Sequence, residues 1–122
     1  MKLNPHSREG FTLVEIMIVV SIIGMLSAIA VPNFVRSRHT TQKNGCLNNL
    51  RQIDGGLQQW ALETGKTGVD APDAAAVATY LRGGVLPTCP VGPAAYTFAA
   101  TLADAPTVIC PNFGSYPDHV LP

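Results

Sequence analysis

Two hydrophobic patterns of different period divide this chain. Phe11 to Val31 reads FTLVEIMIVVSIIGMLSAIAV, an almost unbroken apolar run with one charge, Glu15. A helix of that length extends about 30 Å at ~1.5 Å per residue, the thickness of a bilayer core. Further on the pattern becomes amphipathic. Cys46, Leu50, Ile53, Leu57 and Trp60 recur at alternating steps of four and three, which puts them on one helix face. Asn48, Asn49, Arg51, Gln52, Gln58 and Gln59 fill much of the other side. Gly65 stands where a left-handed C-terminal cap belongs. Pro32 removes a backbone donor, and Gly45 and Gly55-Gly56 each lower helix propensity by up to ~1 kcal/mol relative to Ala. The pattern predicts one long bent helix over about residues 11–63, membrane-spanning in its first half and amphipathic in its second.

The remaining chain carries shorter signals. Lys66 to Pro72 is polar and predicts a loop. Asp73 is an N-cap type, with Ala74 to Leu81 as a short helix and Gly83-Gly84 as its stop. Ala95 to Leu102 alternates with Tyr96, Phe98, Ala100 and Leu102 on one side, which predicts a strand. Ala103 to Pro106 predicts a turn, Thr107 to Cys110 the second strand of a hairpin, and Pro111 to Pro122 an irregular tail lying on the domain. The expected fold class is α+β: a long N-terminal helix packed against a small C-terminal domain with a short helix and a β-hairpin.

Composition narrows the function. The chain has 122 residues, one domain's worth. Eight Lys+Arg balance eight Asp+Glu, so no global charge excess recruits nucleic acid. Charged residues are 13% of the chain, about half the usual ~25%. No P-loop, GxGxxG or nucleophile motif is present, and His6, His39 and His119 stand in no recognisable catalytic pattern. No catalytic residue and no cofactor is expected, and the chain does not read as an enzyme.

Three readings fit the N-terminus. A secretory signal peptide would use Lys2 and Arg8 as its basic region and Ala28-Ile29-Ala30 as its cleavage pattern, but the apolar run exceeds the usual ~7–15 residues. A plain membrane anchor fits the length and leaves Glu15 unexplained, where a carboxylate costs roughly 2.5–3.5 kcal/mol on insertion scales. The third reading accounts for Glu15. Arg8-Glu9-Gly10-Phe11-Thr12-Leu13-Val14-Glu15 resembles the cleavage and N-methylation motif of type IV prepilins and type II secretion pseudopilins. Asn48 to Asp54 and Gln59 to Leu62 resemble the helix segment of a subgroup of short pseudopilin-like proteins. Leu86-Pro87-Thr88-Cys89-Pro90, Gly92, Tyr96, Cys110 and His119 resemble its C-terminal pattern. Gly92-Pro93-Ala94-Ala95 departs from the Gly-Gly that relatives place ahead of the Tyr.

The resemblance implies an organisation and a role. Residues 1–10 would be a leader removed by a prepilin peptidase that cuts between Gly10 and Phe11 and methylates the new N-terminus at Phe11. Residues 11–34 would be the transmembrane and filament-core helix, softened at Gly24 and Pro32, and residues 35–122 a small periplasmic domain. After cleavage the Phe11 α-amino group is a cation with pKa near 8. Glu15 of one subunit can neutralise it in a staggered neighbour, or pair within its own chain. The implied role is a structural subunit of a type II secretion pseudopilus. It would partner with copies of itself, other pseudopilins and the inner-membrane secretion platform, in the bacterial inner membrane with a single pass. The alternatives are a type IV pilus subunit for adhesion, motility or DNA uptake, and a secreted soluble binding domain beginning at Val31.

That location bears on the three cysteines. The spacing 46, 89, 110 contains no C-x-x-C pair, so neither zinc nor another metal is expected despite His119. Cys89 and Cys110 flank the expected hairpin, each precedes a Pro, and the implied compartment is oxidising, so a Cys89–Cys110 disulfide is expected. Cys46 would be a buried free thiol. Asp104 and Asp118 are weak calcium candidates and more simply turn residues. Arg36, Arg38, His39 and Lys43 form a basic cluster suited to lipid head groups or a neighbour's acidic residues. No aromatic interleaves it, so nucleic acid is not an expected partner.

Overall fold

The computed structural model describes residues 9–122. Most of the expected leader, with Lys2, His6 and Arg8, lies outside the described residues. The element order is α1 (Leu13–Thr64), α2 (Ala74–Ala78), β1 (Thr97–Phe98) and β2 (Val108–Ile109). The chain divides into two compact units, one ending at Ser37 and the other running from Arg38 to Pro122.

In the first unit α1 continues through Pro32 as helix. Its apolar side chains are open: Phe11, Leu13, Met25, Leu26, Ile29 and Phe34 are all more than half exposed. An 18-residue window of the helix has mean hydropathy 2.5, and none of it is buried. Length and apolarity suffice to cross a bilayer.

The second unit forms around the other end of α1. The stripe Cys46, Leu50, Ile53, Leu57 and Trp60 is buried as its period predicts, with Gly56 beside it. Val77, Cys89, Tyr96, Val108 and Cys110 close over that face to complete the core. The helix ends at Gly65, whose φ of 67° permits the Lys66 N–H to reach back to the Ala61 carbonyl at 2.8 Å. This bond satisfies a carbonyl that the last turn leaves without a partner. Asp73 caps α2 by accepting from the Ala75 and Ala76 N–H groups at 3.0 and 3.4 Å. α2 is shorter than the expected Ala74–Leu81. The Thr79 hydroxyl bonds the Ala76 carbonyl at 2.7 Å, and tight turns carry the chain on to Leu81.

The hairpin is present but abbreviated. β1 and β2 pair antiparallel with Thr97 opposite Ile109 and Phe98 opposite Val108. A separate bridge joins Thr88 to Ala95. The expected strand to Leu102 stops early because local bonds compete with the ladder. Thr101 gives both its N–H and its hydroxyl to Asp104, at 3.0 and 2.8 Å. Thr67 does the same with Asp70, at 2.7 and 3.1 Å. The two Thr-x-x-Asp turns then bond each other: Leu102 N–H to the Asp70 carbonyl and Ala103 N–H to that of Gly68. The Thr67 N–H and hydroxyl hold the Asp70 carboxyl below its usual range.

The adjacent helix glycines have different surroundings. A Cβ on Gly55 would meet open space, whereas one on Gly56 would lie 2.8 Å from Leu81 Cδ2 and 3.4 Å from its Cγ. Gly55→Ala is therefore expected to raise stability by up to about 1 kcal/mol through helix propensity alone. Gly56→Ala is expected to gain less or to lose, because Leu81 must move. Thermal melts of the two variants in the same detergent check this. A Gly56→Ala gain equal to that of Gly55→Ala would contradict the close approach of Leu81 to α1.

Candidate functional site

In the first unit, Gly10 and Phe11 lie ahead of the first helical turn, with Phe11 83% exposed and open space around Gly10. Thr12 caps the helix. Its Oγ1 accepts the Glu15 N–H at 3.2 Å, and its carbonyl accepts the Ile16 N–H at 3.4 Å. Thr12-Leu13-Val14-Glu15 is thus a capping-box sequence, a local signal legible in the chain. A carboxylate in the first turn also complements the helix dipole. Glu15 is exposed, one turn inside the helix, and Gly24 opens onto empty space.

In the second unit, four side chains that are far apart in sequence converge. Cys46 comes from α1, Cys89 from the loop closed by the Thr88–Ala95 bridge, Cys110 from the position just past β2 and His119 from the C-terminal tail. All four are buried, and one potential ligand atom from each lies within 4.8 Å of all the others. Cys46 Sγ is 3.3 Å from Cys110 Sγ, which is 3.7 Å from Cys89 Sγ and 3.9 Å from His119 Nδ1.

The expected Cys89–Cys110 disulfide is not formed in this structure: the two sulfurs stand unbonded, 3.7 Å apart, and Cys46 is unbonded as well. The expectation treated the hairpin as an isolated pair of strands, whereas the core brings a third sulfur closer to Cys110 than Cys89 is. The spacing argument against a metal does not reach this arrangement. A C-x-x-C pair supplies two ligands from one local turn, but here four separate segments supply one each.

Two matching turns present two of the sulfurs. In Cys89-Pro90-Val91-Gly92 the Gly92 N–H bonds the Cys89 carbonyl at 3.2 Å. In Cys110-Pro111-Asn112-Phe113 the Phe113 N–H bonds the Cys110 carbonyl at 3.1 Å. Pro at the second position fixes φ for such a turn. In each turn the N–H two residues beyond the cysteine, on Val91 or Asn112, pulls the thiol's pKa down. The turns also touch: a Cβ on Gly92 would lie 3.6 Å from Asn112 Nδ2. Gly45 has a related use, since a Cβ there would lie 3.0 Å from Pro90 Cγ. The glycine that weakens α1 lets the Cys89 turn approach beside Cys46. The repeated Cys-Pro pair was the sequence signal for this arrangement.

Neighbours orient the other two groups. The Tyr96 hydroxyl donates to Cys46 Sγ at 3.4 Å and accepts from Asn49 Nδ2 at 3.4 Å. Asn49 also donates to the Thr88 carbonyl at 3.0 Å, so it is half-buried rather than on the open helix side where the periodicity placed it. His119 stacks on Tyr116 with ring centroids 5.1 Å apart. Lys43 pairs with Asp118 at 3.2 Å, which fixes the tail residue before His119 and takes Lys43 out of the expected basic cluster. Asp118 and Asp104 are thus engaged by Lys43 and Thr101.

The sulfurs differ electrostatically. Burial pushes the Cys46 thiol up, and it pushes Cys110 up to about 12 against the pull of the Asn112 N–H. Burial also raises Cys89, but the Val91 N–H, the nearby Asn112 side chain and the two other cysteines outweigh it and hold that thiol below its ordinary range. Cys89 is the first of the three to become thiolate. Burial, with the Cys46 sulfur, raises the Tyr96 hydroxyl, so it remains a donor.

Asn49→Ala is expected to cost about 1 kcal/mol, since it removes the donor to both Thr88 and Tyr96. Denaturant unfolding of the full chain in detergent checks the value. Unchanged stability would mean that water replaces both bonds without loss.

The family profile described as "Prokaryotic N-terminal methylation motif" matches residues 5–31. The type IV major pilin protein PilA of Myxococcus xanthus is 46% identical over 52 residues, 43% of this chain and 23% of the relative. Type II secretion system core protein G of Klebsiella pneumoniae is 31% identical over 59 residues, 48% and 42% of the two chains. The type IV major fimbrial protein FimA of Dichelobacter nodosus is 38% identical over 63 residues, 52% and 40%. The chain thus spans less than half the length of these curated relatives. No solved structure matches it. The chain thus carries a prepilin-type N-terminal methylation motif ahead of an exposed apolar helix, and over about half its length it is similar to type IV pilins and to type II secretion core protein G.

Proposed function

We propose that this chain is a structural subunit of a type II secretion pseudopilus rather than an enzyme. A prepilin peptidase cuts it between Gly10 and Phe11 and methylates Phe11. α1 then holds it in the bacterial inner membrane, with the second unit in the periplasm, until it joins a helical filament supporting protein export. One observation carries this reading. An ionisable Glu15 sits in the first turn of α1, at the head of its exposed apolar stretch and shortly behind a Gly-Phe junction. An exposed apolar surface of this extent needs lipid or other helices against it. A carboxylate within it needs a partner. The methylated amine of a neighbour's Phe11 supplies the opposite charge. Repeated head-to-tail contact of that kind does not close, and non-closing contacts build filaments. The similarity to PilA and FimA favours a second reading, a type IV pilus subunit, by the same chemistry in a different machine.

Gly10→Val is expected to leave the leader attached and block assembly, since a branched side chain obstructs the peptidase where glycine presents none. Intact mass of the membrane-extracted protein reads this. A Gly10→Val chain trimmed to Phe11 and assembled normally would refute the processing step. Wild-type protein beginning at Val31 would instead establish the secreted-domain alternative.

Glu15→Ala is expected to insert into membrane at least as well as wild type, because the costly carboxylate is gone. It should nevertheless yield few filaments. Sheared-filament yield at equal membrane level is the measurement, and equal yield would show that the pairing with Phe11 is dispensable.

A further inference from the structure

We propose that Cys46, Cys89, Cys110 and His119 bind one zinc ion as a structural Cys3His site that, within the second unit, fastens the two Cys-Pro turns and the C-terminal tail to the Cys46 turn of α1. The ligand count is that of a closed structural zinc site, with no position left for water. Zinc–sulfur bonds of ~2.3 Å in a tetrahedron place sulfurs about 3.8 Å apart, and a ~2.05 Å bond to histidine places its nitrogen about 3.6 Å from each. The observed separations are 3.3 and 3.7 Å between sulfurs and 3.9 Å from Cys110 Sγ to His119 Nδ1, all within the 4.8 Å span. A disulfide bond length is ~2.05 Å. These three separations lie within about 0.5 Å of those around one zinc ion, and none of them is a bond length.

The surroundings are those of a thiolate site. Val91 and Asn112 each turn a backbone N–H onto a sulfur from the matching Cys-Pro turns. Such bonds offset the negative charge that three thiolates leave on a divalent ion. Asn112 Nδ2 is buried with no partner of good geometry, and the sulfur it faces is that of Cys89. A thiolate there is the acceptor it lacks. The Tyr96 hydroxyl aims at Cys46 and is itself fixed by Asn49, as outer-shell groups orient ligands. Soft sulfur and imidazole donors in tetrahedral array select zinc over calcium or magnesium.

A disulfide accounts for less. Three cysteines are an odd number. Pairing any two leaves a third thiol and His119 buried together without a purpose, whereas zinc engages all four. Binding converts three thiols to thiolates, and the three protons go to solvent. No oxidant is required. The site stands apart from the filament reading, since all four ligands lie in the second unit and none in the methylation motif.

The test is elemental analysis of the full chain, extracted in detergent and purified without a metal-chelating tag. One zinc per chain is expected. Exchange for cobalt should give the intense visible bands of tetrahedral thiolate coordination. Chelator should release the metal and expose three reactive thiols. Cys89→Ser and His119→Gln should lose the metal. Should those variants fail to fold, Tyr96→Phe keeps the ring and removes only the hydroxyl. It should bind zinc 10–100-fold more weakly in competition with a chromophoric chelator. A metal-free protein with a mass two hydrogens short would overturn the site in favour of a disulfide. Iron in place of zinc, or full zinc content in Cys89→Ser, would overturn it equally.

Discussion

The second unit depends on the docking of irregular chain onto one face of α1. Its sheet has two residues per strand and its second helix five. Such short elements satisfy few of their own backbone groups and are not stable alone. Order must come from side chains, and they are supplied at two levels along the helix. Leu50, Ile53, Leu57 and Trp60 provide an apolar floor on which Val77, Tyr96 and Val108 settle. One step toward the N-terminus, Cys46 provides a chemical anchor on which Cys89, Cys110 and His119 meet. The floor is non-directional and leaves the loops free to slide. The anchor fixes which segment stands where. Zinc at that point would make folding and metal binding one event, as in other small domains with limited cores.

How much of this the sequence revealed follows the range of the interactions. The α1 stripe was readable because helix periodicity is a local property, and every residue assigned to it is buried. Gly65 and Asp73 were readable as caps for the same reason. The strand from Ala95 was overextended because alternation says nothing of competing turns. Thr101 and Asp104 take the backbone out of the ladder, and that preference sits in the Thr-x-x-Asp spacing rather than in the apolar pattern. Asn49 looked like a solvent-facing polar residue because nothing local reveals a carbonyl at Thr88.

The cysteine site was the least legible, although all its parts were in view. Spacing rules for metal sites assume that ligands come in close pairs on one turn. Here the pairs are split: two similar Cys-Pro turns lie on either side of a hairpin and each gives a single sulfur. Gly45, Gly92 and Asn112 let these turns approach α1 and each other, and their value appears only when the contacts do. Gly45 illustrates the general difficulty. Local propensity marks it as a defect in a helix, and tertiary packing makes it the place where Pro90 fits beside Cys46.

The two units thus place their chemistry in different solvents. The methylation motif at residues 5–31 lies wholly in the first, where the governing constraint is a carboxylate among exposed apolar side chains. On the proposed function, that constraint would be met by another molecule, whether lipid or a neighbouring subunit. In the second, the governing constraint is three buried sulfurs and an imidazole within 4.8 Å, and it is met inside the chain. On the proposed function, a filament subunit would gain from this separation. Assembly would ask α1 to exchange lipid neighbours for protein ones, so its surface would stay uncommitted until then. The second unit would hold its shape through that exchange without a large core. Ligands drawn from residue 46 to residue 119 span nearly the whole unit, so one ion would hold helix, hairpin and tail together. Removing it would loosen all three at once rather than fray a single loop.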